Sequence, residues 1–246
     1  MRGKSMTYRW IFSLIIALSL PPVCMSQTGS IPLNHNGLPV ISTTKVYKFS
    51  VKKQPLKRMV AVKKYVIPLR TDFKYATTNN FTNQVLYKNP APYLRLESAE
   101  ALAKVQDELV KVGLTLVIFD AYRPYSVTEK MWAVVPDERY AANPANGSGH
   151  NRGASVDVTI AELSTGKELA MPTAYDDFTE KAHHDYAKLD TIVLKNRRLL
   201  KTVMEKHGFV ALKTEWWHYS LPNASAKYDL LNLSFKKMKK VVDRIN

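Results

Sequence analysis

The segment SGHNRGASVDVTI, residues 148–160, limits the possible folds more than any other stretch of this chain. Its second half is apolar and β-branched, which predicts a buried strand over Val156–Ile160. Gly147, Gly149 and Gly153 surround His150, and glycine is the residue that lets a chain fold back tightly. Asp157 stands inside the strand among valines. An ionised carboxylate in an apolar strand is costly unless a cation or hydrogen-bond donors meet it. The loop is therefore expected to turn His150 toward the point that Asp157 faces, where the two hold a cation.

The rest of the chain supplies a mixed set of elements. Ser98–Val112 is predicted as an amphipathic helix, with Leu102, Val105, Leu109 and Val112 on one face and Gly113 as its stop. TLVIF, 115–119, predicts a second strand. Ser126 and Glu129 have capping-box spacing for a short helix through Met131 and Trp132. Asp190–His207 predicts a longer helix ended by Gly208. FVAL and EWWHYSL predict two strands of an antiparallel hairpin, and VKKYVIPL an edge strand limited by Pro68. Strands and helices do not alternate as βαβ units, and no phosphate-binding glycine motif occurs. The expected fold class is α+β, one domain with a central, mostly antiparallel sheet flanked by helices.

The chain has 246 residues, 46% of them hydrophobic, enough for one well-cored domain. Residues 1–26 read as a secretory signal: Arg2, Lys4 and Arg9, then an apolar run from Trp10 to Leu20, then small residues. That run is shorter than the roughly 20 residues of a membrane span. Cleavage after Ser26 would remove Cys24, the only cysteine, and with it any internal disulfide; lipidation at Cys24 is the rival reading. Residues 27–59 read as a basic, polar linker and 60–246 as the functional domain. The formal net charge is +15. For an exported protein this favours an anionic wall or membrane surface, met through the linker and the Lys-rich tail, over nucleic acid.

Ionisable groups cluster in FDAYRP (119–124), SGHNRGASVD (148–157) and EWWHY (215–219). His150, Asp157 and His218 would make a three-ligand zinc site with a fourth position open to water, as catalytic zinc requires. Singly, each residue reads as well as a solvated loop histidine or a turn aspartate. Glu215 and His218 are three apart and point to opposite faces of an ideal strand, so a bulge or bend is needed to bring them together.

SGHNRGASVDVT and EWWHY together resemble the SxHxxGxAxD and ExxH motifs of the zinc D-alanyl-D-alanine dipeptidases, VanX-type members of the LAS metallopeptidases. The likeness runs from about Asp72 to Pro222 and takes in DFKYATTNNFT, FDAYRP, MPTAYDDF, His183–His184 and NRRLL. It implies one Zn2+ per chain on His150, Asp157 and His218, with Glu215 as general base and acid. It further implies that Arg123 stabilises the transition state, oriented by Asp120, and that Asp176 receives the ammonium group of a dipeptide. Ser148 and Tyr75 would line the substrate site. Ser155 stands where the motif has alanine, a change of small for small that is expected to matter little. The implied activity is zinc-dependent hydrolysis of D-Ala-D-Ala and related free dipeptides in the periplasm or cell envelope. The alternative is a D,D- or L,D-carboxypeptidase of the same group, trimming peptidoglycan stem peptides.

Overall fold

The computed structural model describes residues 30–245, together with Gly3; the expected secretory signal and Cys24 lie outside them. In chain order the elements are β1 (Val40–Ile41), α1 (Thr44–Lys53), β2 (Met59–Ala61), β3 (Arg70–Thr71), β4 (Tyr93–Arg95) and α2 (Leu96–Val110). Then come β5 (Leu114–Asp120), α3 (Tyr125–Val134), the single turn α4 (Gly149–Arg152), β6 (Ser155–Glu162) and α5 (Thr191–Lys206). The chain closes with β7 (Val210–Ala211), β8 (His218–Ser220), α6 (Ala224–Lys227), β9 (Leu230–Leu231) and α7 (Phe235–Ile245). Among the described residues no helix is long and apolar enough to cross a membrane.

A five-stranded sheet of order β3-β5-β6-β8-β7 organises the fold, antiparallel except where β3 runs beside β5. This is the expected α+β arrangement. Leu116, Ile118, Val156, Val158 and Ile160 make β5 and β6 its buried spine. Each such aliphatic side chain contributes about 1.5–3 kcal/mol on burial. Leu102, Val105 and Leu109 of α2 and Leu200, Val203 and Met204 of α5 complete that core. A second core joins the first and last described elements: Ile41 and Tyr47 pack with Leu231, Phe235 and Met238.

Several local expectations are corrected. Residues 40–53, read as linker, form β1 and α1; Tyr47 and Val51, four apart on one helical face, bury themselves while the lysines stay outside. Helix α2 starts at Leu96 rather than Ser98 and ends before Val112, which is 65% exposed. Helix α3 begins after Pro124, so Ser126 lies inside its first turn and caps nothing; its N–H donates to Asn232 Oδ1. The strand expected over VKKYVIPL is a 3-10 turn at Val62–Lys64, flanked by β2 and β3. EWWHYSL becomes strand only at His218, and pairs with β7 in the expected antiparallel sense.

Candidate metal centre and cleft

The sheet register builds the site. Asp120 on β5 is opposite Asp157 on β6, and Asp157 is opposite His218 on β8. Three adjacent strands thus put three polar residues in one row. The pairing of β5 with β6 shifts between Ile118 and Asp120, a bulge that re-aims the end of β5. His150 is brought to the row from α4. Ser148 caps that turn, its Oγ accepting from His150 N while its own N–H donates to Asn151 Oδ1. Gly153 ends it with φ +69°, and at Gly149 a Cβ would lie 1.9 Å from Ser155 Oγ. Glycine is required at the second position by close approach and is favoured at the first by backbone conformation.

Nε2 of His150, Nδ1 of His218 and Oδ1 of Asp157 converge, separated by 3.2, 2.9 and 3.4 Å. A tetrahedral metal with bonds of about 2.0–2.1 Å has ligand atoms about 3.3 Å apart. The donor set therefore fits a divalent cation. The outward atoms are also engaged. His150 Nδ1 lies 2.7 Å from the Ala121 carbonyl and can only donate to it, which leaves Nε2 with its lone pair. His218 Nε2 meets Ser220 Oγ at 3.0 Å, and that hydroxyl bonds Ser155 Oγ at 2.6 Å. Asp157 Oδ2 accepts from the Tyr175 hydroxyl at 2.7 Å. Burial would raise the Asp157 carboxyl, but the adjoining His150 and His218 rings outweigh it and hold the group well below the usual carboxylate range.

Glu215 stands in the turn before β8, where Glu215 O accepts from His218 N, so the bend that its spacing required is present. Its Oε2 is 4.0 Å from His218 Nδ1, and its carboxylate accepts no hydrogen bond among the described residues. Burial pushes it up to about 7, assisted by the charges of Asp157 and Asp176 and opposed by His218 and Arg123. Arg123 is held by Asp120 Oδ2, through Nε at 2.9 Å and Nη2 at 2.7 Å, and its guanidinium lies over the Tyr75 ring. Among the described residues its Nη1 has no partner. Asp120 is itself buried, its Oδ1 accepting from the Tyr87 hydroxyl and from Ala121 N.

Asp176 faces this group in a left-handed backbone conformation, φ +62°. It accepts from the Tyr75 hydroxyl at 3.0 Å and from Phe81 N at 3.3 Å. Burial pushes it up to about 7 despite those donors, with Asp157 adding and Arg123 opposing.

One cavity of about 270 Å³ is lined by Tyr75, Arg123, Ser148, His150, Asp157, Asp176, Glu215 and His218. Every sequence-predicted site residue except Asp120 therefore opens on it, and Asp120 acts from behind Arg123. Sequence reasoning missed Tyr175, Tyr87 and Ser220, which hold Asp157, Asp120 and His218 respectively, and Asn151, which donates to Arg123 O. Tyr175 could have been found by its place beside Asp176 in MPTAYDDF. Ser155 does more than fill space, since its hydroxyl completes the chain to His218. His183 and His184 stay outside the cavity; the His184 ring packs on Tyr219, and burial holds it down at about 4. Trp217 lines the cavity, while Trp216 donates to Thr173 Oγ1.

Two imidazoles and a carboxylate gathered beside a half-buried glutamate, in one cleft of an α+β fold, are the equipment of a metallopeptidase. Residues 56–238 match the Peptidase_M15 family model, described as D-ala-D-ala dipeptidase, and the chain belongs to that family. The D-alanyl-D-alanine dipeptidase of Escherichia coli K12 is 36% identical over 163 residues, 66% of this chain and 83% of that protein. Its counterparts in Enterococcus faecalis and Streptomyces coelicolor are each 32% identical, over 62% and 65% of this chain and 86% and 89% of their own lengths. Among solved structures, the LdcB LD-carboxypeptidase aligns at 20% identity with a TM-score of 0.35, over 64% of this chain and 68% of that one.

Proposed function

We propose that this chain is an exported, zinc-dependent dipeptidase that hydrolyses D-Ala-D-Ala and related free dipeptides released from peptidoglycan, with one Zn2+ on His150, Asp157 and His218. Membership of the dipeptidase family supports the substrate, and the donor set of two imidazoles and a carboxylate supports zinc. The leading positive and apolar segment of the sequence supports export, which suits turnover of wall-derived dipeptide.

A bound zinc supplies Lewis acidity and lowers the pKa of a water from about 15.7 to about 7. The remaining work belongs to side chains. Glu215, poised near 7, takes a proton at its carboxylate and returns one to the departing amine. Arg123, fixed by Asp120, presents its free Nη1 to charge that builds on the carbonyl oxygen.

The observation that carries the reading is Asp176, a half-buried carboxylate on the same small cavity as the proposed metal ligands and Glu215. It pairs with an α-ammonium; an acylated substrate would bring no charge to it. The cavity of about 270 Å³ lies just below the roughly 300–1,000 Å³ of ordinary ligand pockets, which suits a dipeptide. Hydrolysis of a panel of D,D, L,L and L,D dipeptides, each free and N-acylated, with and without chelator, tests it. Preference for acylated peptide would establish stem-peptide carboxypeptidase activity instead.

A further inference from the structure

The cleft is not the only sizeable cavity among the described residues. An open groove of about 820 Å³, about three times the cleft's volume, runs between the loop before β4, the start of α3, and α7. Lys63, Lys88, Lys130, Lys236, Lys237 and Lys239 surround it, all exposed. Its only acidic residue, Asp243, is tied to Lys239. The other five lysines have no ion-pair partner among the described residues. A concavity lined by one sign of charge over low-dielectric walls concentrates counter-ions, and a polyanion relieves the repulsion best.

The floor narrows the class of polyanion. Tyr87, Tyr93 and Phe235 pack against one another and are only 5–7% exposed. No aromatic face is free for a nucleobase to stack on, and no arginine lines the groove to stack or bind bidentately. A flat bilayer would touch the lysines and leave the floor uncovered. We propose that this groove binds a strand of anionic glycan. Carboxylate or phosphate groups along the strand meet the lysines, and the C–H surface of the sugars lies on the apolar floor. The groove backs onto the cleft through Tyr87, whose hydroxyl reaches Asp120, yet none of its lysines lines the cleft. The inference therefore does not depend on the dipeptidase reading.

The test uses the full chain with four probes at about 0.15 M salt, where surface charges act only over about 8 Å. These are polygalacturonate, neutral dextran, anionic phosphatidylglycerol vesicles and single-stranded DNA. Two charge-reversed variants are compared: Lys88→Glu/Lys236→Glu/Lys237→Glu in the groove, and Lys45→Glu/Lys48→Glu/Lys52→Glu on the exposed side of α1. Polygalacturonate is expected to bind the unaltered protein while dextran does not. The groove variant should lose at least about tenfold in affinity and the α1 variant less than about twofold. Equal losses in both variants, or no loss in the groove variant, would overturn the proposal. So would tighter, groove-dependent binding of DNA or vesicles. Retained dipeptide hydrolysis in the groove variant verifies its fold; if the unaltered protein hydrolyses nothing, circular dichroism serves instead, and only the dipeptidase reading falls.

Discussion

Asp120 holds Arg123 through a single carboxylate oxygen: Oδ2 takes both Nε and Nη2, at 2.9 and 2.7 Å. The other oxygen is anchored by Tyr87, so the guanidinium cannot swing without breaking a buried network. Arg123→Ala should lower kcat about 10²–10³-fold, the usual cost of one lost oxyanion donor, with KM for the dipeptide changed far less. Steady-state kinetics decide it; a change confined to KM would show that Arg123 only binds substrate.

Glu215→Gln removes the proton carrier and leaves the donor row intact. Metal content, measured by elemental analysis, should stay near one per chain while kcat falls about 10²–10⁴-fold. Undiminished turnover would exclude Glu215 from proton transfer.

Ser220 sits outside the candidate metal triad, and its Oγ, 3.0 Å from His218 Nε2, holds the ring with Nδ1 turned toward Asp157 and His150. Ser220→Ala should weaken zinc binding about 10–100-fold, the usual effect of losing such a partner, measured by competition with a chromophoric chelator. Ser155→Ala, one hydroxyl further out, should have a smaller effect of the same sign. Unchanged affinity in both would reduce the pair to packing.

Asp176 carries a stability signature. Its folded-state value of about 7 lies above the ordinary 3.8, so the folded protein holds this proton more tightly than the unfolded chain. Its contribution to stability is complete below about pH 4 and is lost as pH rises through 7. In the metal-free protein, Asp176→Asn should raise Tm at pH 8 relative to the parent and leave it nearly unchanged at pH 4. It should also abolish the preference for free over acylated dipeptide. A lower Tm at pH 8 would mean that the carboxylate is already well paired without substrate.

The convergence of His150, Asp157 and His218 beside Glu215 was legible because motif spacing preserves what a strand register then aligns. One residue each from β6, β8 and α4 suffices, and each lies in a short quotable segment. The support for those ligands was not legible. Tyr87 reaches Asp120 across 33 positions and Ser155 reaches Ser220 across 65, and no local pattern encodes such pairs. Ser126 and Glu129 had capping-box spacing, yet Pro124 starts that helix too early for them to act. The actual box at Ser148 uses Asn151 where glutamate or glutamine is usual, and so escaped the pattern. Residues 40–53 looked like linker because lysines hide the two buried positions of α1, and what buries them lies at the far end of the sequence.

That last arrangement has a practical consequence. β1 pairs with β9 in parallel, Val40 beside Leu230 and Ile41 beside Leu231, and α1 lies against α7. The first and last described elements therefore brace each other. A protease that nicked the chain just after α1 would loosen the C-terminal helix as well, and a fragment cut to the family's matched span, 56–238, would lack β1, α1 and much of α7.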